Sequence, residues 1–362
     1  MELSYPIKRR KSRAVKIGDV IIGGGFPIAI QSMTTTDTAD VDATVTQINQ
    51  LFEAGADIVR LAVLNHEKSN ALTEIRKRVS KPIVADIHFQ YKLALKAIEA
   101  GFDKIRINPG NIGAEWKVRE VTKAAKERGI PIRIGVNSGS LPKDLLEKYG
   151  HDNPEGFVEA ALREIRILED MDFRDIVISV KSTSTVTAFW AYHMLAEKCD
   201  YPLHLGITES GTLDTGSIKS SVGIGAILMT GIGDTIRVSL TADPIHEIRV
   251  AKQILTSCAL KNDGVEVIAC PTCGRCQIDM IPMAELVERK TRHIKTPLKV
   301  AVMGCAVNGP GEAAAADVGI AGGDGRGMLI KKGEIVKRMD ESELVDTLLA
   351  EIEAMTGEKI ER

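Results

Sequence analysis

The chain has 362 residues, 44% of them hydrophobic and 27% charged, with a formal net charge of −2. That length suggests two domains or one large domain with an appendage, and enough apolar side chains to bury a substantial core. The near-neutral charge argues against general nucleic-acid binding, no apolar run approaches the roughly 18 residues a membrane helix needs, and six cysteines in so long a chain do not make a disulfide framework. The working location is the cytoplasm, where close cysteine spacing means metal or redox chemistry.

The first segment, MELSYPIKRRKSRAVKIG, is basic but lacks the apolar stretch of a secretory signal. A strand and a glycine-rich turn at 20–26 follow at once, so it reads as part of the mature fold rather than a transit peptide. A weak repeat then organises the chain: EAGADIVRL (53–61) and EAGFDKIRI (99–107) share a helix end, a Gly stop, an Asp and a strand carrying an Arg. LEDMDFRDIVIS (168–179) repeats the logic without the Gly. Glycine suits the left-handed residue that ends a helix, and a β-branched run suits a buried parallel strand. Between such strands the spacing of Val45, Ile48, Leu51 and Phe52 marks one helical face.

Eight strands are predicted in this way, at 28–33, 57–63, 82–89, 104–110, 131–139, 175–182, 202–208 and 235–240, with helical segments between them and a last helix at about 243–255. Their number and spacing match a TIM (β/α)8 barrel over residues 1–262. A doubly wound open sheet is the alternative, but it wants a Gly-rich fingerprint after its first strand, and GGGF (23–26) precedes that strand. The polar residues then fall at strand ends: Gln31, Arg60, Asp86, His88, Arg106, Asn108, Arg133, Asn137, Ser179, Lys181, Thr208, Glu209, Arg237 and Ser239. In a barrel these ends converge on one mouth. Arg60, Arg106, Arg133 and Lys181 would form a cationic floor suited to a multiply charged anion, with a diphosphate ester the natural guess. Any one Arg alone would more often be an ion-pair partner; the repetition is what points to a ligand. Lys181 has a rival reading as a Schiff-base lysine, if burial or neighbouring cations depress its basicity.

A second, smaller α/β domain of about 100 residues is expected over 263–362. It holds CPTCGRC (270–276), a helical DMIPMAELVERKTR, MGCAVNGPGE (303–312), a Gly-rich hairpin region at 317–339 and a terminal helix opened by Asp340 and Glu343 at capping-box spacing. Cys270 and Cys273 present two thiolates from one turn. Zinc would want a second Cys or His pair, and His293 is the only histidine of this domain. Cys305 in its Gly/Pro-rich loop is the better partner, and an iron–sulfur cluster fits better than zinc. The ferredoxin run is matched only in its first three cysteines. The fourth ligand is therefore either Cys276, which spacing favours, or a carboxylate, of which Glu312 is nearest.

CPTCGR and MGCAVNGPGE, behind DIHF (86–89), RINPGNIG (106–113), RIGVNSGSL (133–141), SVKS (179–182), GITE (206–209) and IRVSL (236–240), resemble the 4-hydroxy-3-methylbut-2-en-1-yl diphosphate synthases, the bacterial two-domain type, over nearly the whole chain. The resemblance implies a TIM barrel followed by an iron–sulfur domain, with a [4Fe–4S] cluster held by Cys270, Cys273, Cys305 and Glu312. That reverses the spacing-based preference for Cys276. It implies reductive opening and dehydroxylation of 2-C-methyl-D-erythritol 2,4-cyclodiphosphate, with electrons arriving singly from reduced flavodoxin or ferredoxin, in non-mevalonate isoprenoid synthesis. It implies substrate contacts at Arg60, Arg106, Arg133, Asn137, Lys181, Thr208 and Ser239, with Glu209 the candidate proton donor to the departing hydroxyl. It also implies a homodimer in which the cluster domain of one subunit covers the barrel of the other.

Overall fold

The β-branched runs between Gly stops become strands because each is covered on its outer face by the helix that follows it. The structure, a computed structural model, describes residues 6–361 except Ala306, Asn308 and Asp324, and excepting the side chains of Pro109, Gly110, Ser140 and Pro310. Parts of the expected MGCAVNGPGE loop and of the 317–339 hairpin region therefore lie outside the described residues, as do the first five residues of the basic N-terminal segment. The chain divides into a unit of Met1–Lys261 and a unit of Asn262–Arg362.

The first unit opens with an antiparallel hairpin, β1 (Val15–Ile17) and β2 (Val20–Ile22). Eight parallel strands follow: β3 (Ala29–Met33), β4 (Ile58–Val63), β5 (Ile83–Ile87), β6 (Lys104–Ile107), β7 (Ile132–Asn137), β8 (Ile176–Lys181), β9 (His204–Leu205) and β10 (Thr235–Ile236). Their order is β8-β7-β6-β5-β4-β3-β10-β9, and a parallel bridge between Ile178 and Leu203 brings β9 back to β8, closing the ring. Each expected strand is present but shorter. The stretch 104–110 leaves the sheet after Ile107 because Pro109 starts a helical turn, Pro109–Ile112. At 202–208 and 235–240 the regular ladder spans two residues each.

Alternation along the strands sorts the residues. Ile105, Ile107, Ile132, Ile134, Ile176 and Ile178 join the large core between sheet and helices. Lys104, Arg106, Arg133 and Lys181 have the opposite parity and enter the lumen. The helix Val41–Ala54 buries Val45, Ile48, Leu51 and Phe52, the face read from sequence, and the Asp40 side chain accepts a hydrogen bond from Ala43 N–H at its start.

The N-terminal segment closes the lower end. Val15, Ile17 and Ile22 of the hairpin pack with Ala29, Ile58, Val84 and Val177, the lumen residues nearest the strand starts. Ahead of the hairpin the basic residues form a strap across β9 and β10. Arg10 Nη1 donates to Cys199 O at 2.7 Å and Arg10 Nη2 to Tyr201 O at 2.5 Å. Arg9 Nη2 and Ser12 Oγ donate to Asp234 Oδ1 at 3.3 and 2.8 Å, while Leu203 N–H donates to Asp234 Oδ2 at 2.9 Å.

The second unit is a five-stranded sheet, β11 (Val265–Ala269), β12 (Leu298–Met303), β13 (Val318–Gly323), β14 (Arg326–Lys331) and β15 (Glu334–Asp340), in sequence order. β11, β12 and β13 run parallel; the remaining pairings are antiparallel. Helices Met280–Thr291 and Leu344–Thr356 cover one face through Val287, Leu344, Leu348 and Ile352. The other face is lined by smaller side chains, Ala301, Ala313, Ala316 and Ala321 with Met303 and Met328, and Cys270 lies against it. The expected capping box does not form. Asp340 ends β15 and makes no side-chain cap bond, a 3-10 turn at Glu341–Glu343 intervenes, and the helix starts at Leu344. Glu341 is engaged elsewhere, its Oε1 accepting from Asp279 N–H at 3.0 Å. Among the described residues no helix is long and apolar enough to cross a membrane.

Candidate functional site

Parallel register brings the charged lumen residues together. Asp86 on β5 is paired in the sheet with Arg106 on β6, and Arg106 with Arg133 on β7. Asp86 Oδ1 accepts from Arg106 Nη1 at 2.9 Å, and Asp86 Oδ2 lies 3.6 Å from both Arg60 Nε and His88 Nε2. Arg133 Nη1 donates to Ser179 Oγ at 3.3 Å. Arg60 also donates through Nε and Nη2 to the Met33 thioether at 3.3 and 3.0 Å, a weak acceptor for a guanidinium. At the rim Arg237 Nη2 lies 3.6 Å from Glu247 Oε1, and Ser32 Oγ donates to Glu247 Oε2 at 3.2 Å.

Two glycines make room for this crowding. A Cβ at Gly135 would sit 2.7 Å from Arg106 Nε, and one at Gly206 would sit 2.6 Å from Lys181 Nζ and 2.8 Å from Arg237 O. Both positions are therefore closed to any side chain while the cations stay where they are.

The charge does not balance. Arg60, Lys104, Arg106, Arg133 and Lys181 are all buried, and Arg237 is nearly so. Among the described residues, Asp86 and Glu247 are the carboxylates within ion-pair distance of these cations, and neither Lys104 nor Lys181 has one. Burial alone would raise the Asp86 carboxyl, but Arg60 and Arg106 outweigh it and hold it well below the usual carboxylate range. Burial pushes Arg60 down to about 10, against the pull of Asp86. Burial, reinforced by neighbouring guanidinium groups, depresses Lys181 and Lys104 well below an ordinary lysine. Arg133 is depressed for the same reasons, yet a guanidinium does not give up its proton at ordinary pH, so its strain is a standing demand for an anion. The buried Nε atoms of Arg106, Arg133 and Arg237 have no hydrogen-bond partner among the described residues. The cationic floor read from Arg60, Arg106, Arg133 and Lys181 thus assembles in one lumen, partly neutralised by Asp86 and open for a multiply charged anion.

Around the floor stand the less buried residues. Asn137 is paired with Lys181 across β7 and β8 and is half-buried, as are Thr208 and Ser239. Thr208 N–H donates to Ser182 O at 3.2 Å, which carries the chain beyond the short β9 along β8. Glu209 is exposed and has φ 51°, a left-handed conformation uncommon for a non-glycine residue, which Asp172, Ala259 and Lys332 share in this chain. Sequence reasoning missed three members of the layer: Lys104, His204 and Glu247, each buried. Lys104 shares the lumen parity of Arg106, but it opens its strand beside Asp103. Glu247 sits on a helix, Pro244–Ser257, where a carboxylate looks like surface decoration.

In the second unit the CPTCGRC turn follows β11, and the loop with Cys305 follows β12, its parallel neighbour, so both leave the sheet at the same end. Gly304 N–H donates to Cys270 Sγ at 3.2 Å, and Gln277 N–H to Gly304 O at 2.8 Å, tying the two loops together. Arg275 hydrogen-bonds the Cys273 thiol and pulls it below an ordinary cysteine. Cys273, Cys305 and Glu312 all act on Arg275 to raise it, so one guanidinium feels all three groups. Cys276 stands at the same junction: its Sγ lies 3.3 Å from Ile278 O and against Gly304, where an added Cβ would sit 2.5 Å from it. Among the described residues no three His, Cys, Asp or Glu side chains surround a single-ion site. The donor set nonetheless suits a group wider than one ion: thiols on two adjoining loops, a backbone N–H already aimed at one sulfur, and a carboxylate on the short helix Gly309–Ala313.

Comparison with known proteins follows this division. A family model described as the GcpE TIM-barrel domain matches residues 12–252, and one described as the GcpE protein C-terminal domain matches 266–354. The 4-hydroxy-3-methylbut-2-en-1-yl diphosphate synthase (flavodoxin) of Caldanaerobacter subterraneus subsp. tengcongensis is 59% identical over 354 residues, covering 98% of this chain and 100% of that protein. The enzyme of the same name from Bacillus subtilis is 56% identical over 358 residues, covering 99% and 95%. Among solved structures, a Yersinia pestis dihydropteroate synthase aligns with a TM-score of 0.51 at 11% identity, covering 69% of this chain and 100% of that one, a likeness of fold alone.

Proposed function

Because the chain belongs to the GcpE family, we propose that it is a 4-hydroxy-3-methylbut-2-en-1-yl diphosphate synthase, using flavodoxin, of the non-mevalonate isoprenoid route. Its substrate on this reading is 2-C-methyl-D-erythritol 2,4-cyclodiphosphate, opened and stripped of one hydroxyl with two electrons. The observation that carries it is the buried, under-neutralised floor of Arg60, Arg106, Arg133 and Lys181. A diphosphate supplies the missing negative charge, and planar guanidinium forks match its oxygens.

The barrel's residues hold and orient the substrate. Arg60 exchanges the weak Met33 acceptor for a phosphate oxygen; Arg106 keeps Asp86, which fixes its direction. Arg133 and Lys181 meet the remaining phosphate charge, and Asn137, Thr208 and Ser239 donate from the wall. Glu209, beside the reacting end, gives its proton to the departing hydroxyl, which leaves as water.

Cys270, Cys273, Cys305 and Glu312 are proposed to hold a [4Fe–4S] cluster. When bound, that cluster supplies electrons one at a time and Lewis acidity at the iron whose ligand is the carboxylate rather than a thiolate. Support comes from the two adjoining loops and from Arg275, on which Cys273, Cys305 and Glu312 all act. Reduced flavodoxin or ferredoxin is the proposed donor. The working form is a cytoplasmic homodimer in which one subunit's second unit serves its partner's barrel.

Anaerobic purification with iron and sulfide analysis, followed by turnover of the cyclic diphosphate with reduced flavodoxin, tests the reading. Bound iron and sulfide with formation of the allylic diphosphate are expected. A colourless protein carrying stoichiometric zinc would overturn it.

A further inference from the structure

Two residues ahead of Arg106 on β6, with the same lumen parity, stands a lysine that the proposed reaction does not use. Lys104 is 0% exposed, and its Nζ has a single hydrogen-bond partner among the described residues, Gln31 Oε1 at 3.3 Å. Beside it Gln31 Nε2 and His204 Nε2 are buried without a partner. Of the charged and polar groups around it, Arg133 and Arg60 act on this amine, and it in turn acts on His204. By strand alternation the lumen also receives Gln31 from β3, Arg60 from β4, Asp86 from β5, Arg106 on the lysine's own strand and Arg133 from β7. Ser179 and Lys181 enter it from β8, His204 from β9, and Thr235 and Arg237 from the β10 stretch. Among the described residues the carboxylates of this set are Asp86, already bound to Arg106 and close to Arg60 and His88, and Glu247 from the helix Pro244–Ser257, which faces Arg237.

We propose that Lys104 is a charge-tuning residue of the anion site: neutral in the empty barrel, it takes up a proton from solvent when a diphosphate settles on the floor above it. Resting on the function proposed above, this makes substrate binding proton-linked, and Gln31 Oε1 is the acceptor that then holds the ammonium. Desolvation, with Arg133 and Arg60 nearby, depresses an amine this deeply buried well below an ordinary lysine. A multiply charged anion two residues up the strand, about 7 Å away along the backbone, reverses the local field. His204 is the rival acceptor, but imidazole is the weaker base by about four pH units, and its Nε2 has no acceptor waiting. Lys181, in the floor itself, can take up its own proton. The share of Lys104 is therefore a difference, and it is measurable because a cyclic diphosphate has one strongly acidic oxygen per phosphorus and does not itself titrate near neutrality.

The test is titration calorimetry on the cluster-bearing full chain at pH 8, with the cyclic diphosphate, in two buffers of different ionisation enthalpy. The wild type should take up protons on binding, and Lys104→Met should take up about one fewer. Its affinity should also lose up to about tenfold less for each pH unit between pH 7 and 9. Lys104→Gln, which keeps a polar group against Gln31, provides the second variant should the methionine disturb packing. Equal uptake in wild type and both variants, or no uptake in the wild type, overturns the proposal. Inorganic pyrophosphate in the same experiment separates the two readings. If it binds with Lys104-dependent uptake while the cyclic diphosphate does not bind, the assigned substrate falls and the proton linkage stands. If neither binds, the linkage falls with the floor.

Discussion

Asp86 Oδ1 accepts a hydrogen bond from Arg106 Nη1 at 2.9 Å, between residues directly paired on neighbouring strands, with both side chains about 5% exposed. The same carboxylate is also the one within ion-pair distance of Arg60. It is the counterweight that lets the lumen fold before any anion arrives.

Asp86→Asn should therefore destabilise the protein by about 3–5 kcal/mol, the usual cost of leaving buried charge unpaired. The carboxyl is depressed in the folded state, so its stabilisation is complete above the ordinary aspartate value of about 4 and is lost as the pH falls below that. Denaturant unfolding at pH 7 and at about pH 2.5 checks both statements: the gap between wild type and variant should narrow in acid.

Glu164 predicts the opposite slope. Burial, with Glu115 nearby, raises its carboxyl to about 7, and its Oε2 is buried without a partner among the described residues. The folded state thus favours the protonated form, and the ionised form costs stability progressively as the pH rises from about 4.5 through 7. Glu164→Gln should raise stability by about 1–3 kcal/mol at pH 8 and change little at pH 5, read from unfolding midpoints.

Gly206→Ala should displace Lys181, since the added methyl would lie 2.6 Å from its Nζ. Expected are a folded protein weakened by about 1–3 kcal/mol and a KM for the cyclic diphosphate raised at least about tenfold. An unchanged KM would remove Lys181 from the substrate site.

In the second unit, Cys276→Ser should keep iron and sulfide, whereas Cys273→Ser and Cys305→Ser should lose them. Glu312→Gln should fold normally and lose turnover more than iron. Metal analysis and circular dichroism on anaerobically prepared variants decide this, and loss of iron from the Cys276 variant alone would restore an all-cysteine ligand set.

Much of this was legible in the chain. Strands buried on both faces read as apolar runs, so Arg60, Arg106, Arg133 and Lys181 stood out as interruptions at recurring places. The rest was hidden for identifiable reasons. Lys104 begins its strand next to Asp103, where a lysine looks like a solvated end. Glu247 lies on a helix, and its carboxylate is engaged by Ser32, 215 residues away, as well as by Arg237 and Leu240 just ahead of that helix. The RRKSR segment carried only a charge signal; its partners Asp200 and Asp234 come more than 180 residues later. The Asp340–Glu343 spacing misled because a neighbouring strand had already fixed the backbone at Asp340 in an extended conformation.

That strap sets an order on synthesis. Arg9, Arg10 and Ser12 leave the ribosome first, yet the atoms they bind belong to residues 199–234. At about 5–20 residues per second the N-terminal segment waits roughly 10–40 s for them. During that interval the apolar β1–β2 hairpin has no completed lumen to plug. The hairpin must be shielded until then, and the barrel is sealed from below only when its last two strands have been made.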